Sequence, residues 1–104
     1  MTRKEILDRA CSCVNGDRQQ DYGTPEDSFS KIADLLSAWM SDDELAIEFS
    51  AVDVAIMLAP LKIARISTGH AKDDNWVDLA GYAACGGEIQ ARLEKFKQSH
   101  EQIQ

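Results

Sequence analysis

The chain has 104 residues, enough for one domain with one core and too few for two. Its 18 acidic residues against 11 basic ones leave a formal net charge of -7, which argues against extended nucleic acid as a partner, because that needs a basic face. No apolar run approaches the roughly 20 residues of a membrane span, no signal-peptide core follows the basic start at Arg3 and Lys4, and Cys11, Cys13 and Cys85 form no Cys-x-x-Cys pair, so the expectation is a cytoplasmic protein with reduced thiols.

The pattern is helical almost throughout. Thr2-x-x-Glu5 is a capping box, and Ile6, Leu7, Ala10, Cys11, Cys13 and Val14 follow it as an apolar stripe. Asn15-Gly16 predicts the end of that helix, since both residues tolerate the left-handed conformation at a C-cap. A loop over 15–23 closes with Tyr22-Gly23. Thr24-Pro25-Glu26-Asp27 opens a second helix, with a capping hydroxyl, a proline suited to the first position and two acids at the positive end of the dipole. Phe29, Ile32, Ala33, Leu36, Trp39 and Met40 repeat at helical spacing along it. Ser41-Asp42-Asp43-Glu44 reads as a stop and a fresh cap, predicting a short helical turn through Phe49.

Ser50-x-x-Asp53 starts a third helix, apolar nearly all round from Val54 to Ile66, which belongs in the centre of a bundle or at a subunit interface. Pro60 inside it removes a backbone hydrogen bond, and Gly69-His70 ends it. The last helix begins near Asp73 and Asp74. It carries Gly81, Gly86 and Gly87, where missing side chains permit close approach by a neighbour, and its polar tail is expected to fray over about 97–104. The expected architecture is a single all-α domain over 1–104, a bundle of four main helices plus one short turn, assembled as a homo-oligomer.

The polar residues of the second half carry the chemistry. Residues three or four apart share a helix face, so Lys62 and Arg65 point one way, and Asp74, Asp78 and Tyr82 share another. Arg65 offers a planar fork and Lys62 a point charge to phosphate oxygens; either also serves as a solvated or dipole-offsetting cation. Asp53 sits among Val52, Val54 and Ala55, so it either faces the interior or caps its helix from the third position. Asp74 and Asp78 repel mildly, which a divalent cation, an arginine or water would offset. An internal network joining Lys62 and Arg65 to Asp74 and Asp78 satisfies the same residues without a ligand. Tyr22, in a polar loop beside Arg18 and Gly23, and Tyr82 are suited to stack on a base. His70 and His100 are too isolated for a metal cage, and no Ser-His-Asp set or Gly-rich phosphate loop is present.

Arg18-x-x-x-Tyr22-Gly23 followed by Phe29, then Asp53 with Lys62-Ile63-Ala64-Arg65, then Asp74-x-x-x-Asp78-x-x-Gly81-Tyr82 resembles a family of small helical phage and prophage proteins, over roughly residues 15–88. The resemblance implies a bacterial host cytoplasm and a ligand site built from those residues. More distantly, the chain is similar to MazG-like all-α nucleoside-triphosphate pyrophosphatases, which bind magnesium through Glu-x-x-Glu and Glu-x-x-Asp helices. Asp53, Asp74 and Asp78 would be the analogous acids here, but no Glu-x-x-Glu occurs and the second pair is spaced i, i+4.

The expected function is binding of a small nucleotide-like, phosphate-bearing ligand without turnover or cofactor, sequestering a nucleotide signal of host defence. Arg18, Lys62 and Arg65 take the phosphates, Tyr22 or Tyr82 stacks on the base, Gly23 lies in the same site, and Asp53 and Asp78 take ribose hydroxyls or orient the cations. The alternative is a Mg²⁺-dependent pyrophosphohydrolase with Asp53, Asp74 and Asp78 on the metal. A third reading is a ligand-free interaction module.

Overall fold

A computed structural model describes residues 1–16, 23–69 and 72–103, the last four as backbone only. Among the described residues the chain is all-helical, with α1 (Arg3–Asn15), α2 (Pro25–Met40), α3 (Ala51–Ser67) and α4 (Asp73–Ile103). Local capping chemistry accounts for where three of them begin. The Glu5 amide donates to Thr2 Oγ1 at 3.2 Å, and the Thr2 amide donates back to the Glu5 carboxylate. Thr24 Oγ1 accepts from the Asp27 amide at 3.2 Å, with Pro25 in the first turn. Ser50 and Asp53 exchange two such bonds, of 2.9 and 3.1 Å. Each satisfies amides that the first helical turn leaves without an intrahelical partner.

α1 does end at Asn15, but by a different route from the left-handed cap expected. Gly16 has φ -110° and ψ -134°, and its amide donates to the Ser12 carbonyl at 2.8 Å. A Cβ built on Gly16 would lie 2.5 Å from that carbonyl oxygen, so close backbone approach, rather than a positive φ, requires glycine here.

The expected helical turn over 41–49 is absent; that stretch is an irregular link. Side-chain oxygens have taken over its backbone partners. Ser37 Oγ accepts from the Phe49 amide at 2.8 Å, Ser41 Oγ accepts from the Ile47 amide at 2.8 Å, and Asp42 Oδ1 accepts from both Glu44 and Leu45 amides. Hydroxyl and carboxylate groups placed this way outcompete a helical ladder.

α4 is the hub. It packs most extensively on α3, then on α1, and also touches α2, while α2 packs mainly on α3. Phe29 and Ala33 from α2, Val54 and Ala55 from α3, and Cys85 and Ile89 from α4 form the buried core. Gly86 permits the α3–α4 approach: a Cβ there would stand 2.9 Å from that of Ala55. α3 does not occupy the centre of the bundle. It buries Val54, Ala55 and Lys62 and leaves Ile56, Met57, Leu61 and Ile63 exposed. α4 runs unbroken to Ile103, and its side chains from Gln90 to Ser99 are exposed. No helix is long and apolar enough to cross a membrane among the described residues.

Candidate functional site

The end of α1, the start of α2 and the first half of α4 line a cleft of about 460 Å³. Such a volume is in the range of small-molecule sites. Its wall is mainly apolar, with Val14, Pro25, Phe29 and Val77, and its polar groups include Asp78 and the Tyr82 phenol. Tyr82 meets Phe29 with ring centroids 6.3 Å apart and planes tilted by 57°, an edge-inclined contact that fixes the phenol's orientation. Gly23 lies at the start of α2 with φ +78°, a conformation that L side chains rarely adopt.

Behind Asp78 stands Lys62. Its Nζ is 2.9 Å from Asp78 Oδ2, and only 9% of its side chain is exposed against 22% for Asp78. The two form an ion pair in a largely water-excluded place, where removal of either strands its partner. Asp78 presents a fixed carboxylate to the cleft, oriented by an ammonium that is not itself among the lining residues.

Of the residues singled out from sequence, Gly23, Asp78 and Tyr82 come together in this cleft, with Lys62 attached through Asp78. Arg18 and Tyr22 lie outside the described residues. Asp53 is in the first turn of α3, where it closes the cap with Ser50, and does not line the cleft. Arg65 is exposed near the other end of α3 and has no ion pair among the described residues. Asp74 turns to α1 and accepts from Arg9 at 3.0 Å, so the two acids of the i, i+4 pair are satisfied by cations on different helices. The network read from sequence is thus realised as Lys62–Asp78, with Arg9 in place of Arg65 at Asp74. Among the described residues no three of His, Cys, Asp and Glu converge as metal ligands, and Asp53, Asp74 and Asp78 do not form such a group.

Cys13 and Cys85 line the cleft without a functional signal in the sequence, whereas Phe29 belonged to the resemblance motif. Cys13 and Cys85 were expected as ordinary thiols, and Phe29 as core; all three face the cleft. Burial pushes the Cys85 thiol above its ordinary pKa, with Glu88 and Glu26 adding to the effect, so it stays protonated and unreactive near neutral pH. A smaller recess of about 280 Å³ adjoins, where Arg92 bridges Glu26 of α2 and Glu88 of α4. This ion group ties the start of α2 to α4 beside the cleft.

Among the described residues, fold and cleft together define a small all-α protein with a mainly apolar, small-molecule-sized recess beside one largely covered ion pair. The chain belongs to the family described as "Domain of unknown function (DUF6378)", which it matches over residues 5–90. It is similar to the Gene 55 protein of Mycobacterium phage D29, 37% identical over 83 residues, covering 79% of this chain and 51% of the relative. It is also similar to the Gene 55 protein of Mycobacterium phage L5, 41% identical over 78 residues, covering 75% of this chain and 47% of the relative. The chain thus spans about half the length of these curated relatives. No solved structure matches it.

Proposed function

We propose that this is a phage or prophage protein of the bacterial cytoplasm that binds a nucleotide-like ligand as a homo-oligomer and releases it unchanged. The observation that carries the reading is the cleft, where Gly23 lines one mainly apolar wall with Asp78 and Tyr82, distant from it in sequence. A base in the cleft stacks on Tyr82. The Asp78 carboxylate accepts from ribose hydroxyls, and Lys62 holds it in place. Lys62 is committed to Asp78, so the cation assigned to phosphate is Arg65, exposed one turn further along α3. Tight binding without turnover would lower the free level of a nucleotide signal made by the host.

Calorimetric titration with nucleoside mono-, di- and triphosphates and cyclic dinucleotides tests this. Tyr82→Ala should weaken the binding of whichever nucleotide is taken up by roughly 5- to 150-fold, the span of base–aromatic stacking. Arg65→Ala should remove a charge-assisted contact, weakening it by roughly 10- to 150-fold while the protein stays folded. No binding across the panel, or binding indifferent to Tyr82→Ala, counts against the cleft. Mg²⁺-dependent pyrophosphate release that Asp78→Asn abolishes would put the pyrophosphohydrolase in its place.

A further inference from the structure

Among the described residues, Asp78 is the one Asp, Glu, Lys or Arg in the cleft wall. Its Oδ2 is engaged by Lys62, whose side chain is 9% exposed against 22% for Asp78, so a ligand in the cleft meets the carboxylate and not the ammonium. Oδ1 has no protein partner among the described residues. A carboxylate paired with an ammonium only accepts hydrogen bonds. An ionised phosphate has no hydrogen to give and carries the same sign of charge. The part of a ligand that lies against Asp78 is therefore a neutral donor. Its position selects which donor. Asp78 and Tyr82 are four positions apart on α4, one turn along the same face, a spacing that leaves about 5–6 Å between Cβ atoms. The hydroxyls of a ribose stand a comparable distance from the ring of the base it carries.

Resting on the nucleotide reading given above, we infer that the ligand is a 5′-phosphorylated ribonucleotide with free 2′ and 3′ hydroxyls, and that Asp78 is the residue that selects it. One hydroxyl donates to Oδ1 and the other to the lone pair that Oδ2 keeps beside Lys62. An acidic residue reads a ribose hydroxyl in the same way in dinucleotide-binding folds. The phosphates leave from the 5′ carbon, away from the carboxylate. A 2′-deoxynucleotide lacks one of the two donors, and so does a cyclic dinucleotide linked through its 3′ oxygens. A protein with this preference draws on the ribonucleotide pool and leaves the precursors of DNA free. Lys62 sets the size of the preference. A site whose polar groups are left unpaired rejects an analogue lacking a hydroxyl by about 10⁴- to 10⁵-fold. Asp78 keeps its ammonium when the hydroxyl is missing, so the preference is that of one charge-assisted hydrogen bond, roughly 10- to 150-fold.

Calorimetric titration of the full chain with the adenine, guanine, cytosine and uracil ribonucleoside 5′-triphosphates, beside the 2′-deoxy and 2′,3′-dideoxy form of each, reads this preference. The ribonucleotide that binds best should exceed its 2′-deoxy form by roughly 10- to 150-fold, with the dideoxy form weaker again. Lys62→Met/Asp78→Leu replaces the ion pair with apolar side chains that need no partner, and should bind the ribose and 2′-deoxy forms equally. A role for Asp78 in stability alone would lower both affinities together and leave their ratio. Equal affinities on the unaltered chain, with binding still lost in Tyr82→Ala, overturn the ribose selection and leave the nucleotide reading standing. Binding of 3′,5′-cyclic dinucleotides in preference to every ribonucleoside triphosphate does the same. A ratio that survives the double substitution overturns the assignment to Asp78. No binding by any of these compounds removes the reading and the inference together. The series on the unaltered chain decides the ribose selection even where the double variant does not fold.

Discussion

Lys62 and Asp78 lie sixteen positions apart on two helices and pair at 2.9 Å with 9% and 22% of their side chains exposed. Lys62→Met should therefore strand Asp78 and cost about 3 kcal/mol, lowering the melting temperature by roughly 10–20 °C. Lys62→Met/Asp78→Leu should recover most of that loss, because an apolar pair of similar volume needs no partner. Thermal melts of the two variants check this, and an Asp78 that tolerates losing Lys62 would mean the pair is hydrated. At this scale the sequence was partly legible. Helical spacing put Lys62 and Asp78 on suitable faces, and the cost of burying charge demanded that they be satisfied. It did not reveal that Arg9, on a third helix, rather than Arg65 would reach Asp74, because choosing between two cations requires the packing of α1 on α4.

The starts of three helices were legible because capping is local: hydroxyl, spacing and acid lie within four residues of one another. The link at 41–49 was not. Ser41-Asp42-Asp43-Glu44 has the composition of a cap, but the hydroxyl that holds Phe49 belongs to Ser37, twelve positions back. The hub role of α4 was equally hidden. A nearly all-apolar α3 looks central by composition, whereas the glycines of α4 decide which helix its neighbours approach. Gly86→Ala tests that argument. Its new methyl would collide with Ala55 at 2.9 Å, with no flexible side-chain end to yield, so α3 and α4 must move apart. The expected cost is about 1–3 kcal/mol by chemical denaturation. A neutral or stabilising Gly86→Ala would show that the two helices have slack, since alanine is otherwise the better helix former.

For the whole molecule, the described chain leaves fourteen large hydrophobics exposed and buries eight hydrophobic residues, several of them alanines. A fold of this kind gains little from its own core, so a subunit interface and a ligand would each add stability. The long axis of 48 Å is close to the ~46 Å expected of the thirty-one residues of α4, which extends past the helices it holds together. The all-α class and the helix order were legible from periodicity. The cleft was legible only in fragments, since its wall combines the motif residues Gly23, Phe29, Asp78, Gly81 and Tyr82 with Cys13, Val77 and Cys85, whose spacing signals only core.

The central claim is that this cleft holds an intact nucleotide-like molecule. The protein should be purified from phage-infected bacteria, denatured, and its released small molecules identified by mass spectrometry, beside Tyr82→Ala prepared in the same way. The account predicts a stoichiometric, ultraviolet-absorbing, phosphate-bearing compound from the unaltered protein, recovered unhydrolysed and much depleted from Tyr82→Ala. A protein that releases no such compound, or releases only its hydrolysis products, would contradict it.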